Sequence, residues 1–241
     1  MPDKRIFLVT ADHVAKTLGD GGFCIRLNRK ADGLGCCHQI EYANWLRHPR
    51  EAHTTDIAIL EIQPPDWCRL NFVPRKAFAS DQKMGTKNIG PGDIAYVVGL
   101  FEPLYGKRKN LPTVHTGHVA LIPADELLPV DDWHVPDPTK APPIEVEAYL
   151  IQVQNTLPGI SGAPVFVRRS IKTRLFDKEV DPSSSGIQVW HHGSLWLLGV
   201  WTDGWFNHLA LRAPNGGKVT IPAGMGAVVP VRKLMDILEG S

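Results

Sequence analysis

Short apolar, β-branched runs closed by Gly or Pro recur along the whole chain, and they leave room for little besides antiparallel β structure. "RIFLVTA" is one such run. "FCIRLNR" alternates apolar and polar residues as a half-buried strand does, and "DIAILEI" stops at Pro64-Pro65. Residues 66–93 are irregular. Beyond them "IAYVVGLF", "TVHTGHVALI", "EAYLIQVQ", "APVFVRR", "SLWLLGVW" and "GAVVPV" resume the pattern. With 22 Gly and 20 Pro among 241 residues, the chain carries turn residues at the density these runs need. Only "VPVRKLMDILEG" reads as a helix: Val231, Leu234, Met235 and Leu238 fall on one face, and Gly240 is a stop. The Pro- and Asp-rich stretch 123–143 is expected to be a long surface loop. The pattern predicts an all-β fold, sandwich or barrel. The break near residue 85 divides it into two β units of unequal length, 1–84 and 85–241.

Composition narrows the function classes. An apolar fraction of 43% is ample for a packed core. The net charge is +1, and the run Lys107-Arg108-Lys109 lies beside Gly106 and before Pro112 as a solvated loop, so nucleic acid is not an expected partner. No apolar run approaches the ~18 residues of a membrane helix, so no membrane partner is expected either. "MPDKRIFLVT" lacks the apolar core of a secretory signal. Cys24, Cys36, Cys37 and Cys68 form no CxxC pair, and the adjacent Cys36 and Cys37 are badly placed to bridge each other. They read as reduced thiols in a reducing, cytoplasmic compartment. His115 and His118 ("HTGH") have no evident third ligand, so no metal and no cofactor is expected.

One segment departs from simple strand-and-turn grammar. In "NTLPGISGAPVF", residues 155–166, a serine stands between glycines and just ahead of a strand. A turn accounts for the glycines, and so does the need for bare backbone N–H groups beside an exposed hydroxyl. A nucleophilic Ser161 requires a base and a group to orient that base. Among ten histidines, His13 stands out because it closes the strand in "FLVTADHVA". Asp56 stands out because it opens the strand "TTDIAIL", where a carboxylate faces a neighbour rather than water. Its rivals Asp12 and Glu51 are expected to be solvated.

Together, "LVTADHV", "DIAIL" and "GISGAPVF" resemble the three signature blocks of the trypsin/chymotrypsin-like serine proteases, in that family's order of His, Asp, Ser. "IGPGDIAYVVGLF", "LLGVW" and "GMGAVVPV" resemble second-barrel strands of its bacterial-type branch. The resemblance implies two six-stranded antiparallel β-barrels with the site in the cleft between them. It implies a Ser161 nucleophile, a His13 base oriented by Asp56, and an oxyanion hole from the N–H groups of Gly159 and Ser161. The expected reaction is peptide-bond hydrolysis through an acyl-enzyme, and the expected partner is a peptide or protein substrate. Asn155 falls at the family's pocket floor, where its uncharged side chain argues against an Arg or Lys preference. Trp201 falls in the segment that lines the substrate cleft.

The departures are informative. Ile160 stands where zymogen-activated members carry Asp, so that activation switch is expected to be absent. Ala163 replaces a usual glycine, and no cysteine follows His13. Only twelve residues precede His13, whereas the resemblance implies two strands there, so the expectation is either a truncated start of the chain or an incomplete first barrel. An incomplete barrel makes a catalytically weak or inactive homologue that binds peptides the alternative expectation. "GISGA" also approaches the G-x-S-x-G elbow of α/β-hydrolases, but that elbow feeds a helix and "APVFVRR" continues as strand. His191-His192 reads as a wet turn.

Overall fold

The computed structural model describes residues 5–100, 106–123, 126–135, 141–154, 159–169, 195–207 and 221–240. Asn155 and the turn expected at His191-His192 lie outside the described residues.

The C-terminal part closes into a six-stranded antiparallel barrel in the order β10-β13-β12-β11-β6-β7. Its strands are β6 (Ile94–Leu100), β7 (Pro112–Leu121), β10 (Tyr149–Val153), β11 (Pro164–Arg168), β12 (Trp196–Asn207) and β13 (Ile221–Pro230). Closure follows from period-2 patterning. In β6 the buried residues are Ala95 and Val97, and in β11 they are Val165 and Val167. These residues turn inward with Val119, Ile151, Leu198 and Val228 to fill the lumen. The filling is tight: a Cβ on Gly226 would sit 1.9 Å from the Trp201 ring. Only a glycine lets that indole lie flat across the facing strand.

The N-terminal part is organised differently. β1 (Ile6–Thr10), β5 (Ala58–Ile62) and β4 (Leu46–Arg47) form a three-stranded antiparallel sheet, while β2 (Phe23–Asn28) and β3 (Gly35–Ile40) form a separate hairpin. A second closed barrel is therefore not formed among the described residues. The sheet buries both faces. Ala58 and Leu60 join Ala15, Ile40, Ala43 and Trp45 on one side. Ile57 and Ile59 join Leu197, Val200, Val229 and the helix α3 (Val231–Glu239) on the other. Helix α3 shows the expected pattern, with Leu234 and Ile237 buried.

Several sequence expectations change. Two short helices, α1 (Asp12–Leu18) and α2 (Asp81–Lys87), were not expected. His13 consequently lies in the first turn of a helix and does not close a strand. The stretch 123–143 is not simply a surface loop: β8 (Leu128–Val130) pairs with β9 (Ile144–Val146), and Val130 and Val146 are buried. The cysteines are not all reduced. Cys24 and Cys37 form a disulfide, their Cα atoms 5.7 Å apart, while Cys36 and Cys68 are free. The β2–β3 register places Cys24 opposite Gln39 and Cys37 opposite Arg26, which makes the two cysteines diagonal neighbours across the hairpin. No helix among the described residues is long and apolar enough to cross a membrane.

Candidate active site

Helix α1 begins directly behind β1, with Ala11 extended at its N-cap and no capping side chain of its own. Asp56, two residues ahead of β5 and only 3% exposed, supplies the missing acceptor from 43 residues away. Its Oδ1 accepts the backbone N–H of His13 at 2.9 Å. Its Oδ2 lies 2.7 Å from His13 Nδ1. One buried carboxylate thus caps the helix and holds the imidazole. Because a carboxylate only accepts, Nδ1 carries the proton, and in the neutral ring Nε2 is left with a free lone pair. Burial alone would lower the His13 pKa, but the hydrogen bond and charge of Asp56 outweigh it. With Asp203 and Asp12 adding to them, they hold the pKa above its ordinary 6.5.

The rivals to Asp56 are engaged elsewhere. Asp12 is 1% exposed, not solvated, and pairs with Arg47 at 2.6 Å and Lys16 at 3.0 Å. Glu51 pairs with Lys233 on α3. His115 and His118, three residues apart on β7, point to opposite faces of the strand.

Ser161 lies on a turn whose geometry depends on its glycines. Gly159 has φ +87° and Gly162 has φ +90°, a region other residues rarely adopt. Ile160 and Ala163 are buried in the barrel lumen and anchor the turn from inside. The Gly162 N–H donates to the Trp201 carbonyl at 2.7 Å, and the Trp201 N–H donates to the Ala163 carbonyl at 2.9 Å. Trp201 therefore acts on the turn through its backbone, and its 2%-exposed ring packs in the barrel core. The Ala163 N–H is taken up by the Ile160 carbonyl. Among the described residues, the N–H groups of Gly159 and Ser161 have no such acceptor.

The turn abuts the His13 segment. A Cβ on Gly162 would sit 2.6 Å from Thr10 Oγ1 and 3.0 Å from Thr10 Cα. The backbone two residues after Gly159's neighbour Ile160 thus touches the end of the strand that leads into α1, which brings the Ser161 turn and the His13–Asp56 pair to one place. The half-buried Ser161 hydroxyl donates to the Thr202 carbonyl at 3.1 Å.

The structure adds a residue that the sequence did not single out. Asp203 follows Thr202 on β12, and with Asp56, Thr202 and Trp133 it lines a small cavity behind the pair. Its Oδ1 accepts the Gly204 N–H at 2.7 Å. Burial, with the charges of Asp131 and Asp56, pushes its pKa up to about 6, against the opposing effects of the Gly204 N–H and His13. Nothing local in "WTDGW" distinguishes this aspartate from a surface one. Only the tertiary fold, which packs β12 beside Asp56, brings it near the pair.

No protein-family model matches the chain, and no curated protein matches it.

Proposed function

We propose that this chain is a serine endopeptidase of the trypsin/chymotrypsin-like kind, hydrolysing peptide bonds through Ser161, His13 and Asp56. The observation that carries the reading is the two-point hold of Asp56 on His13, set against the glycine turn that presents Ser161. In the reaction the Ser161 hydroxyl turns from the Thr202 carbonyl to His13 Nε2. It loses its proton there as Oγ attacks the scissile carbonyl. The N–H groups of Gly159 and Ser161 receive the developing oxyanion, a contribution of roughly 2.7–4 kcal/mol per donor in such sites. His13 then protonates the leaving amine. Water, deprotonated by the same imidazole, hydrolyses the acyl-enzyme. Asp56 fixes the tautomer throughout and stabilises the imidazolium.

The resting hydrogen bond from Ser161 to Thr202 favours a second reading, a peptide-binding homologue without turnover. Incubation with a fluorophosphonate, followed by peptide-library digestion, separates the two. An active site gives a stoichiometric adduct on Ser161 and cleaved peptides. A binding module gives neither.

A further inference from the structure

The connection between β8 and β9 carries a second histidine that contacts both the helix bearing His13 and the segment leading to Asp56. His134 Nδ1 lies 2.7 Å from Lys16 Nζ, one helical turn after His13 on α1. His134 Nε2 lies 2.9 Å from the backbone carbonyl of His53, three residues before Asp56. An ammonium only donates and a carbonyl only accepts, so both contacts are satisfied together by one form alone: the neutral imidazole with its proton on Nε2. The ring is further fixed by stacking on His53, with centroids 4.2 Å apart, and by the adjacent Trp133 at 5.1 Å. Its backbone N–H donates to Asp132 Oδ1 at 2.9 Å.

We propose that His134 is a positioning residue for the hydrolytic site, a clasp that ties the helix bearing His13 to the segment delivering Asp56. The inference rests on the serine-hydrolase reading for its effect on turnover, but its geometric content is independent of it. Asp56 reaches His13 from 43 residues away and must arrive in one orientation to cap the helix and grip the ring. Lys16 is placed by its ion pair with Asp12 at 3.0 Å, and Asp12 is held in turn by Arg47 at 2.6 Å. His134 carries that fixed position across to the His53–Asp56 segment. A second proton on the ring, at Nδ1, would set an imidazolium against the Lys16 ammonium and beside the stacked His53. Among the described residues, the acidic groups bound to the cluster, Asp132 and Asp12, are already engaged with the His134 backbone and with Lys16 and Arg47. The clasp therefore exists only with His134 neutral.

Three variants test it: His134→Leu, which keeps bulk but no polar contact, His134→Gln, which restores one donor and one acceptor, and Lys16→Met. Two readouts are followed, the rate constant for fluorophosphonate labelling of Ser161 and the downfield proton resonance of the His13 Nδ1–H···Asp56 bond. The expected result is labelling about tenfold slower and a broadened His13 resonance in His134→Leu, since small misplacements of reacting groups are costly. His134→Gln should restore both to within about twofold. The double variant His134→Leu/Lys16→Met should be no slower than the worse single one, as for two residues acting through one contact. Wild-type rates and resonance in His134→Leu would overturn the proposal, as would equal losses in His134→Gln and His134→Leu. Should His134→Leu fail to fold, the Lys16→Met and His134→Gln results decide by the same criteria. If the native chain itself does not label, the hydrolase reading fails, and the His13 resonance alone decides the clasp.

Discussion

His13 is gripped by one carboxylate at both its backbone and its ring, and the two grips make different demands on Asp56. An Asp56→Asn substitution separates them. The amide oxygen still accepts the His13 N–H and preserves the helix cap, but an NH2 group facing Nδ1 forces the proton to Nε2. Turnover should fall roughly 10⁴-fold with little change in thermal stability, as expected for a wrong tautomer. The pH profile follows from the same contacts. Base catalysis needs neutral His13, and its pKa is held above 6.5 by Asp56 in spite of burial. The acid limb of kcat/KM should therefore have its midpoint above pH 6.5. In stability the sign is opposite. The folded state favours protonated His13, so that contribution is full below 6.5 and is lost as pH rises through the higher folded value. Asp203 adds a second pH effect. Its pKa rises from 3.8 to about 6 on folding, so the fold binds this proton more tightly than the unfolded chain does and loses stability as pH climbs through that window. Asp203→Asn should raise the melting temperature at pH 7 and leave it unchanged near pH 3, with a gain of up to about 3 kcal/mol at neutral pH. Thermal melts at the two pH values check this.

At the scale of elements, the site depends on a turn pressed against a strand end. Gly162→Ala would place a methyl 2.6 Å from Thr10 Oγ1 at a φ of +90°. The strain and the overlap act together at about 1–3 kcal/mol. Relief by shifting the turn would draw Ser161 away from His13. Labelling of Ser161 should fall at least tenfold while the barrel stays folded by circular dichroism. The same scale shows why parts of the molecule were legible. Strands β2, β6, β7, β10 and β11 carry a period-2 pattern locally, β1, β5, β12 and β13 contain apolar runs bounded by Gly or Pro, and α3 carries its apolar face over a long enough run. Helix α1 does not: seven residues including Val14 and Thr17 are too short for a periodicity, and its cap comes from Asp56, far along the chain. The β8–β9 strands are three residues each and sit among prolines that suit loops equally well. The Cys24–Cys37 bridge depends on the register of a hairpin whose second strand, "GCCHQI", has no clear apolar alternation. The triad candidates were legible as residues, whereas Asp203 and His134 are brought to the site only by tertiary register.

At the scale of the whole molecule, the N-terminal part, with His13 on α1 and Asp56 just ahead of β5, and the barrel that precedes α3 share one apolar core. Ile57, just ahead of β5, and Ile59 within it meet Val200 and Val229 from the barrel and Leu234 and Ile237 from α3. Helix α3 is stitched to the N-terminal part again through Lys233 with Glu51, and Asp236 with His48 at 3.3 Å. Ile59, fully buried, lies at the centre of this arrangement. Ile59→Ala should cost about 2–5 kcal/mol and lower the melting temperature by roughly 5–15 °C, read as a shift of a single transition in a calorimetric scan. Two separate transitions would mean that the shared core does not couple the parts. The coupling matters because the proposed chemistry needs groups from both sides held in place at once. The most direct test of that claim is mass-spectrometric mapping of a fluorophosphonate adduct on the folded native chain, with Ser161→Ala and His13→Ala as controls. A stoichiometric adduct on Ser161 that is lost in both variants is the predicted result. A folded native chain that forms no adduct, or forms it equally well without His13, would contradict the triad.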